Sequence, residues 1–217
     1  MGNSHSHPHE HTRRPWGESR PKWRERIGRW LRAVAPGRSR VVAPDGLPDL
    51  PLALQRGDAA VAYLRAERER DHRRAASAAM RAMDDAIGRQ EWWPADVWAH
   101  RALWHHEQAQ DTLKAIRQAR RIGDIRTAAG DAESARRYYA EAIDEARDVG
   151  AEHEQGLAAL GLGRALLDLG QVTQARRLAA AAVDLLDRAD APAAELDAAR
   201  HLLGTEVPVG EGAEERH

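Results

Sequence analysis

The sequence predicts an all-α protein: a short α-solenoid of helical hairpins preceded by a disordered basic arm. Three observations carry that reading. Nowhere do β-branched and aromatic residues alternate over five or more positions between turn residues, so strand signals are missing. The chain superposes on itself at a shift of 40 residues. Charge is segregated: residues 1–45 hold ten basic and four acidic groups, net +6, and because the whole chain has 33 and 34, the remainder carries 23 and 30, net −7.

The first section, "MGNSHSHPHEHTRRPWGESRP", mixes His, Pro, Gly and charge without an apolar period and is expected to stay disordered. In "KWRERIGRWLRAV" Trp23, Ile27, Trp30, Leu31 and Val34 recur at helical spacing, with Arg24, Arg26, Arg29 and Arg32 on other faces and Pro36-Gly37 as a stop. That is a basic amphipathic helix of about three turns. It could fold back on the body, lie on anionic lipid or contact phosphates. A Pro- and Gly-rich linker, "PGRSRVVAPDGLPDLP", closes the arm, which is placed at 1–47.

Residues 48–111 are expected to be helical. From Asp58, read as an N-cap, the chain runs to Ile87 without Pro or Gly, as one helix or two, with Ala76, Met80, Met83 and Ile87 on one face. Pro94 opens the next helix, along which Val97 and Trp104 align, and Asp111 caps its successor. Trp92, Trp93, Trp98 and Trp104 either fill the core or form an aromatic docking surface.

The self-match aligns residues 113–148 with 153–188 without a gap, and its identities include Arg136-Arg137 on Arg176-Arg177, Asp144 on Asp184 and a set of small residues: Gly123 on Gly163, Gly130 on Gly170, Ala135 on Ala175, Ala142 on Ala182. Mid-helix Gly costs on the order of 1 kcal/mol relative to Ala, so Gly163 implies close helix approach that offsets the loss. A weaker match 40 residues upstream places a degenerate unit from about 74. Residues 112–204 then hold two hairpins and a capping helix, "APAAELDAARHLL", with 205–217 as a loose tail.

The elements Ile122-Gly123, Gly130, Ala135, Ala142 and Leu162-Gly163, Gly170, Ala175, Ala182 resemble the tetratricopeptide repeat family, in the longer, alanine-rich variant of bacterial regulators. The period is 40 rather than 34, the six extra residues fall at "GAEHEQ", and Ala119, Ala159, Arg147 and Asp187 replace the family's Trp and Pro. The resemblance implies a right-handed superhelix and a ligand groove lined by the first helix of each hairpin. The corresponding residues are Arg117, Arg120, Asp124 and Thr127, then Leu157, Leu160, Arg164, Leu167 and Asp168. Such a groove suits a protein or peptide ligand with a carboxylate and an aliphatic anchor. The Lys-Asn clamp that family members use on a chaperone's C-terminal carboxylate is missing, since Arg120-Asp124 and Leu160-Arg164 stand at those positions.

Other chemistry is sparse. His5, His7, His9 and His11 alternate, which in an extended strand places four imidazoles within about 20 Å on one side. They are candidate zinc, nickel or copper ligands, or else a solvated terminus. His100, His105 and His106 do not share a face, and no H-E-x-x-H, phosphate-binding or dinucleotide glycine pattern, nor a G-x-S-x-G, is present. No enzyme activity and no cofactor are expected. With no cysteine there is no disulfide framework. No run approaches the roughly 18 apolar residues of a spanning helix, and Arg13-Arg14 is not followed by an apolar export core. A cytoplasmic protein is expected, with nucleic acid or anionic membrane as further partners through the arm.

Overall fold

The structure, a computed structural model, describes Leu47 and residues 49–204. Among these residues every regular element is helical. A single 3₁₀ turn, Leu52–Leu54, precedes eight helices: α1 Asp58–Arg68, α2 His72–Gly88, α3 Trp92–Gln108, α4 Thr112–Ala128, α5 Ala132–Asp148, α6 Glu152–Asp168, α7 Val172–Arg188 and α8 Ala193–Gly204. Each helix packs on the next, and α4 and α6, like α6 and α8, also touch side by side. The architecture is a helical solenoid of α2–α3, α4–α5 and α6–α7 hairpins, with α8 closing one end.

From α2 to α7 every helix has 17 residues, separated by three. The turn explains this regularity. One residue in each turn has a positive φ, at Arg70, Gln90, Gln110, Gly130, Gly150, Gly170 and Asp190, one every 20 positions. The next N–H then reaches the carbonyl five residues back, as in Asp71 to Ala66, Asp131 to Arg126 and Gln171 to Leu166, at 2.8–2.9 Å. That bond closes the finished helix, and the residue making it is already the N-cap of the following one. Asp71, Asp111 and Asp131 accept from the N–H groups of Arg74, Lys114 and Ser134, which fixes the start of α2, α4 and α5.

Three expectations are revised by these bounds. Residues 58–87 form two helices, split at the positive φ of Arg70. Gly57 is the N-cap of α1, and Asp58 is its first residue, contributing charge near the helix N-terminus without a capping bond. The residues "GAEHEQ" are not a linker between units: Gly150 is the turn, Ala151 the N-cap, and Glu152–Gln155 the first turn of α6. The extra length of the repeat is therefore spent on longer helices.

Helix seams are lined by alanine, including Ala75, Ala79, Ala95, Ala99, Ala135, Ala142, Ala175 and Ala182, all buried. The glycines mark the closest approaches. A Cβ on Gly123 would lie 2.7 Å from the Tyr139 ring, and one on Gly161 would overlap that same ring. Tyr139 of α5 is thus wedged between α4 and α6. Gly163 is buried as the repeat required, but a Cβ there would first meet Leu202 of α8, at 2.7 Å, ahead of the Ala175 carbonyl of α7 at 3.3 Å. It admits the capping helix as much as its hairpin partner.

Because that ring has backbone on both sides, Gly161→Ala is expected to destabilise the fold by about 2 kcal/mol through overpacking. Urea denaturation measures this. The cost should shrink when Tyr139→Leu is combined with it, since the smaller side chain vacates the overlapped space.

Candidate partner-binding face

The 40-residue register brings the first helices of the hairpins, α2, α4 and α6, side by side, and ion pairs tie them together. Arg121 of α4 pairs with Asp84 of α2. Arg117 of α4 donates through Nε to Oε1 of Glu154 on α6, and Arg120 Nε lies 3.8 Å from the other carboxylate oxygen. Arg120 Nη1 also donates to Asp124 at 3.0 Å, and the Tyr139 hydroxyl donates to Asp124 at 2.7 Å. His153 lies 3.8 Å from Glu154 and 2.7 Å from Glu195 of α8. The result is a ladder of charge running from α2 to α8. Glu154 is buried, so its rungs act in a lower dielectric than surface pairs.

The residues named from sequence divide into three groups. Arg117, Arg120 and Asp124 belong to the ladder, while Thr127 is turned back, donating to the Gly123 carbonyl at 3.0 Å. Leu160 is buried at 5 % exposure and belongs to the core, where a ligand does not reach it. Leu157 and Leu167 are half-buried against that core, and Arg164 and Asp168 are exposed with no ion pair or side-chain hydrogen bond among the described residues. Arg164 and Asp168 are one helical turn apart, and Leu157 and Leu167 flank Arg164 at helical spacing. The four make a small mixed surface on α6.

Sequence reasoning missed Glu154, His153, Glu195, Asp84 and Tyr139. Gly161, two residues before the repeat glycine, was the available signal for Tyr139. His5, His7, His9 and His11 lie outside the described residues, as do the basic amphipathic segment and the tail. Among the described residues no group of three or more His, Asp or Glu side chains is placed to hold a metal ion. No helix there is long and apolar enough to cross a membrane.

A second polar cluster lies at the other end, between α1, α2 and α3. The Tyr63 hydroxyl contacts Glu67 at 2.9 Å, Arg101 Nη1 at 2.9 Å and His105 Nε2 at 3.0 Å. A carboxylate only accepts, so Tyr63 donates to Glu67, and both Arg101 and His105 Nε2 donate to Tyr63. The remaining nitrogen of His105, Nδ1, must then accept from His72 Nδ1, 3.1 Å away. Similarly, His100 Nδ1 donates to the Asp96 carbonyl and its Nε2 accepts from the Tyr138 hydroxyl, both at 2.7 Å. Asp96 in turn takes two bonds from Arg126, at 2.8 and 2.6 Å. Both imidazoles are neutral in this arrangement. Burial is the main cause that lowers the pKa of His100 and His106, and it takes His105 down to about 3, with His72, Arg101 and His106 adding repulsion. Burial likewise raises the Tyr63 phenol. Trp98 stacks edge-on against Tyr63, and Trp104 against His72 and His105, so the tryptophans here chiefly serve the core.

No family model matches the chain, and no curated protein matches it. Among solved structures, the crystal structure of the apo form of RapI is similar in fold, with a TM-score of 0.53 at 12 % identity. The likeness covers 65 % of this chain and 58 % of that one, so this chain spans less than two thirds of the length of RapI. At that identity the shared property is the helical-repeat fold.

The neutral histidines have a consequence for stability. The folded pKa of His105 lies below the ordinary 6.5, so between about 3 and 6.5 the unfolded chain binds more protons and stability rises with pH. Lowering the pH from 7.5 to 5 should cost about 2 kcal/mol from this group alone. Urea midpoints measured across that range should fall, and should fall less in His105→Gln.

Proposed function

We propose that the chain is a non-enzymatic scaffold in the bacterial cytoplasm that binds a protein or peptide along the face formed by α2, α4 and α6, and that its hairpins are long tetratricopeptide-like units. The small-residue register of the sequence and the helical-repeat fold support this reading. The observation that carries it is the pairing along that face. Arg117, Arg120 and Arg121 are matched to Glu154, Asp124 and Asp84, whereas Arg164 and Asp168 face solvent beside Leu157 and Leu167. A ligand carboxylate can take a charge-assisted bond from Arg164 while an aliphatic side chain covers Leu157 and Leu167. The absence of a catalytic residue pattern in the sequence agrees with binding rather than turnover. A second reading, in which the arm contacts DNA or anionic membrane while the repeats hold a ligand, is favoured only by the arm's net +6 charge.

Crosslinking and affinity capture test the main reading. A specific partner recovered by the full chain should be lost, by about tenfold or more in recovery, on Arg164→Glu with Leu167→Asp, as expected for a charged contact with an apolar anchor. Arg177→Glu, on the opposite side of the solenoid, should leave recovery unchanged. Equal recovery by all three proteins would remove the α6 surface from consideration.

A further inference from the structure

The tie between α1 and α3 differs in chemistry from the positions that repeat it. At steps of 40 residues after Tyr63 stand Leu103, Ile143 and Val183, and Arg101 and His105 become Glu141 and Glu145 on α5, then Ala181 and Leu185 on α7. Where later helices carry an aliphatic side chain, α1 reaches α3 through a buried hydroxyl. That hydroxyl is fully used: it donates to Glu67 and accepts from Arg101 and from His105 Nε2, whose Nδ1 accepts from His72. The imidazole pair holds one added proton without breaking a bond, on His72, whose Nδ1–H already points at His105. A second proton, on His105 Nδ1, would set two N–H groups against each other across 3.1 Å. The groups facing the His105 ring offer an imidazolium no compensation. From α1 these are Tyr63 and Glu67, from α2 His72, and from α3 itself Arg101 and His106. Glu67, the carboxylate of this set, already accepts from Tyr63 and lies 3.6 Å from Arg101.

We propose that α1 is an acid-releasable helix: protonation of His105 breaks the Tyr63 tie and frees Asp58–Arg68 from α2 and α3 while the hairpins behind it stay folded. Helices of a solenoid contact only near neighbours, so one helix can open without the others. Among the described residues α1 is the first of eight, and it has 11 residues where the next six have 17. Its opening turns the His105 ring toward water, where a proton binds at the ordinary value of about 6.5. In the closed form burial, followed by repulsion from His72, Arg101 and His106, holds that value down at about 3. The same opening uncovers Trp98, which packs edge-on against Tyr63. Acid thereby exposes an apolar surface on α3 that the closed form hides.

Hydrogen exchange read by mass spectrometry on the full chain at pH 7.5 and pH 5, each rate divided by the intrinsic rate at that pH, tests this. Protection of α1 should fall about 30-fold on acidification, the ratio set by a proton that the open form binds near 6.5 and the closed form near 3. In His105→Gln, whose amide can still donate to Tyr63 and accept from His72, the fall should shrink to about threefold or less. His106→Gln tests whether the opening is local. His106 is also buried on α3 with its pKa lowered by burial, but it faces Asp111 and Lys114 and stays buried when α1 alone opens. Its replacement should therefore leave the response of α1 in place. A flattened response in His106→Gln would mean that α1 opens only together with α3, and would overturn the proposal. So would a wild-type response below about threefold, or a full response in His105→Gln. Protection in α6 and α7 verifies folding, and the wild-type and His106→Gln results decide the matter even where His105→Gln loses it.

Discussion

The three-residue turn is the constraint from which the rest of the molecule follows. One residue takes a positive φ, and the next both closes the finished helix and caps the new one, so the chain reverses without slack. Repeating that turn every 20 residues holds each helix at 17 and sets equivalent side chains 40 apart. An added or deleted residue would rotate a helix by about 100° against its neighbours, since one turn takes 3.6 residues. Alanine seams, glycine contacts and the charge ladder all depend on that register being kept.

Much of this was legible because small residues leave a trace at seams. Gly123 and Gly163, Ala135 and Ala175, and Ala142 and Ala182 gave the hairpin period, and Asp111 its cap. The shorter period of single helices was hidden by the chemistry of the turn. Only Gly130, Gly150 and Gly170 announce the positive φ, while Arg70, Gln90, Gln110 and Asp190 accept it despite a cost of roughly 1 kcal/mol each. Such residues carry no turn signature. This is why the break between α1 and α2 could not be read; at "GAEHEQ" the turn is a glycine, and the helix start was hidden instead because its N-cap, Ala151, has no capping side chain.

The candidate binding face was legible in outline and not in detail, for an electrostatic reason. Register alone selects the residues that can share a face, and it selected Arg117, Arg120, Asp124, Leu157, Arg164, Leu167 and Asp168. It does not say which cations are already matched. That depends on Glu154 and Asp84, residues of neighbouring hairpins whose contacts only the stacking reveals. Nor does it give depth: Leu160 holds a groove position in the family pattern, yet it is buried here because alanine seams draw α6 close to its neighbours. The buried cluster around Tyr63 and His105 was hidden for a related reason, since partners 42 positions apart are not a pattern that helical spacing announces.

Pre-paired arginines shape what such a face can recognise. A ligand carboxylate approaching Arg117 must displace Glu154, which is buried and would lose its hydrogen-bonded partner, keeping only Arg120 and His153 at 3.8 Å, a costly change for a charge in low dielectric. Arg120 is held twice, by Asp124 and by the nearby Glu154. Acidic chains in general therefore gain little there. Among the described residues Arg164 has no such carboxylate to displace, so on the proposed reading the attraction to a ligand carboxylate would add directly to burial of Leu157 and Leu167. The ladder thus ties the stacked helices together, and on the proposed face it leaves the α6 surface of Arg164, Leu157 and Leu167 as the place where a ligand's charge and apolar surface would have to be matched together.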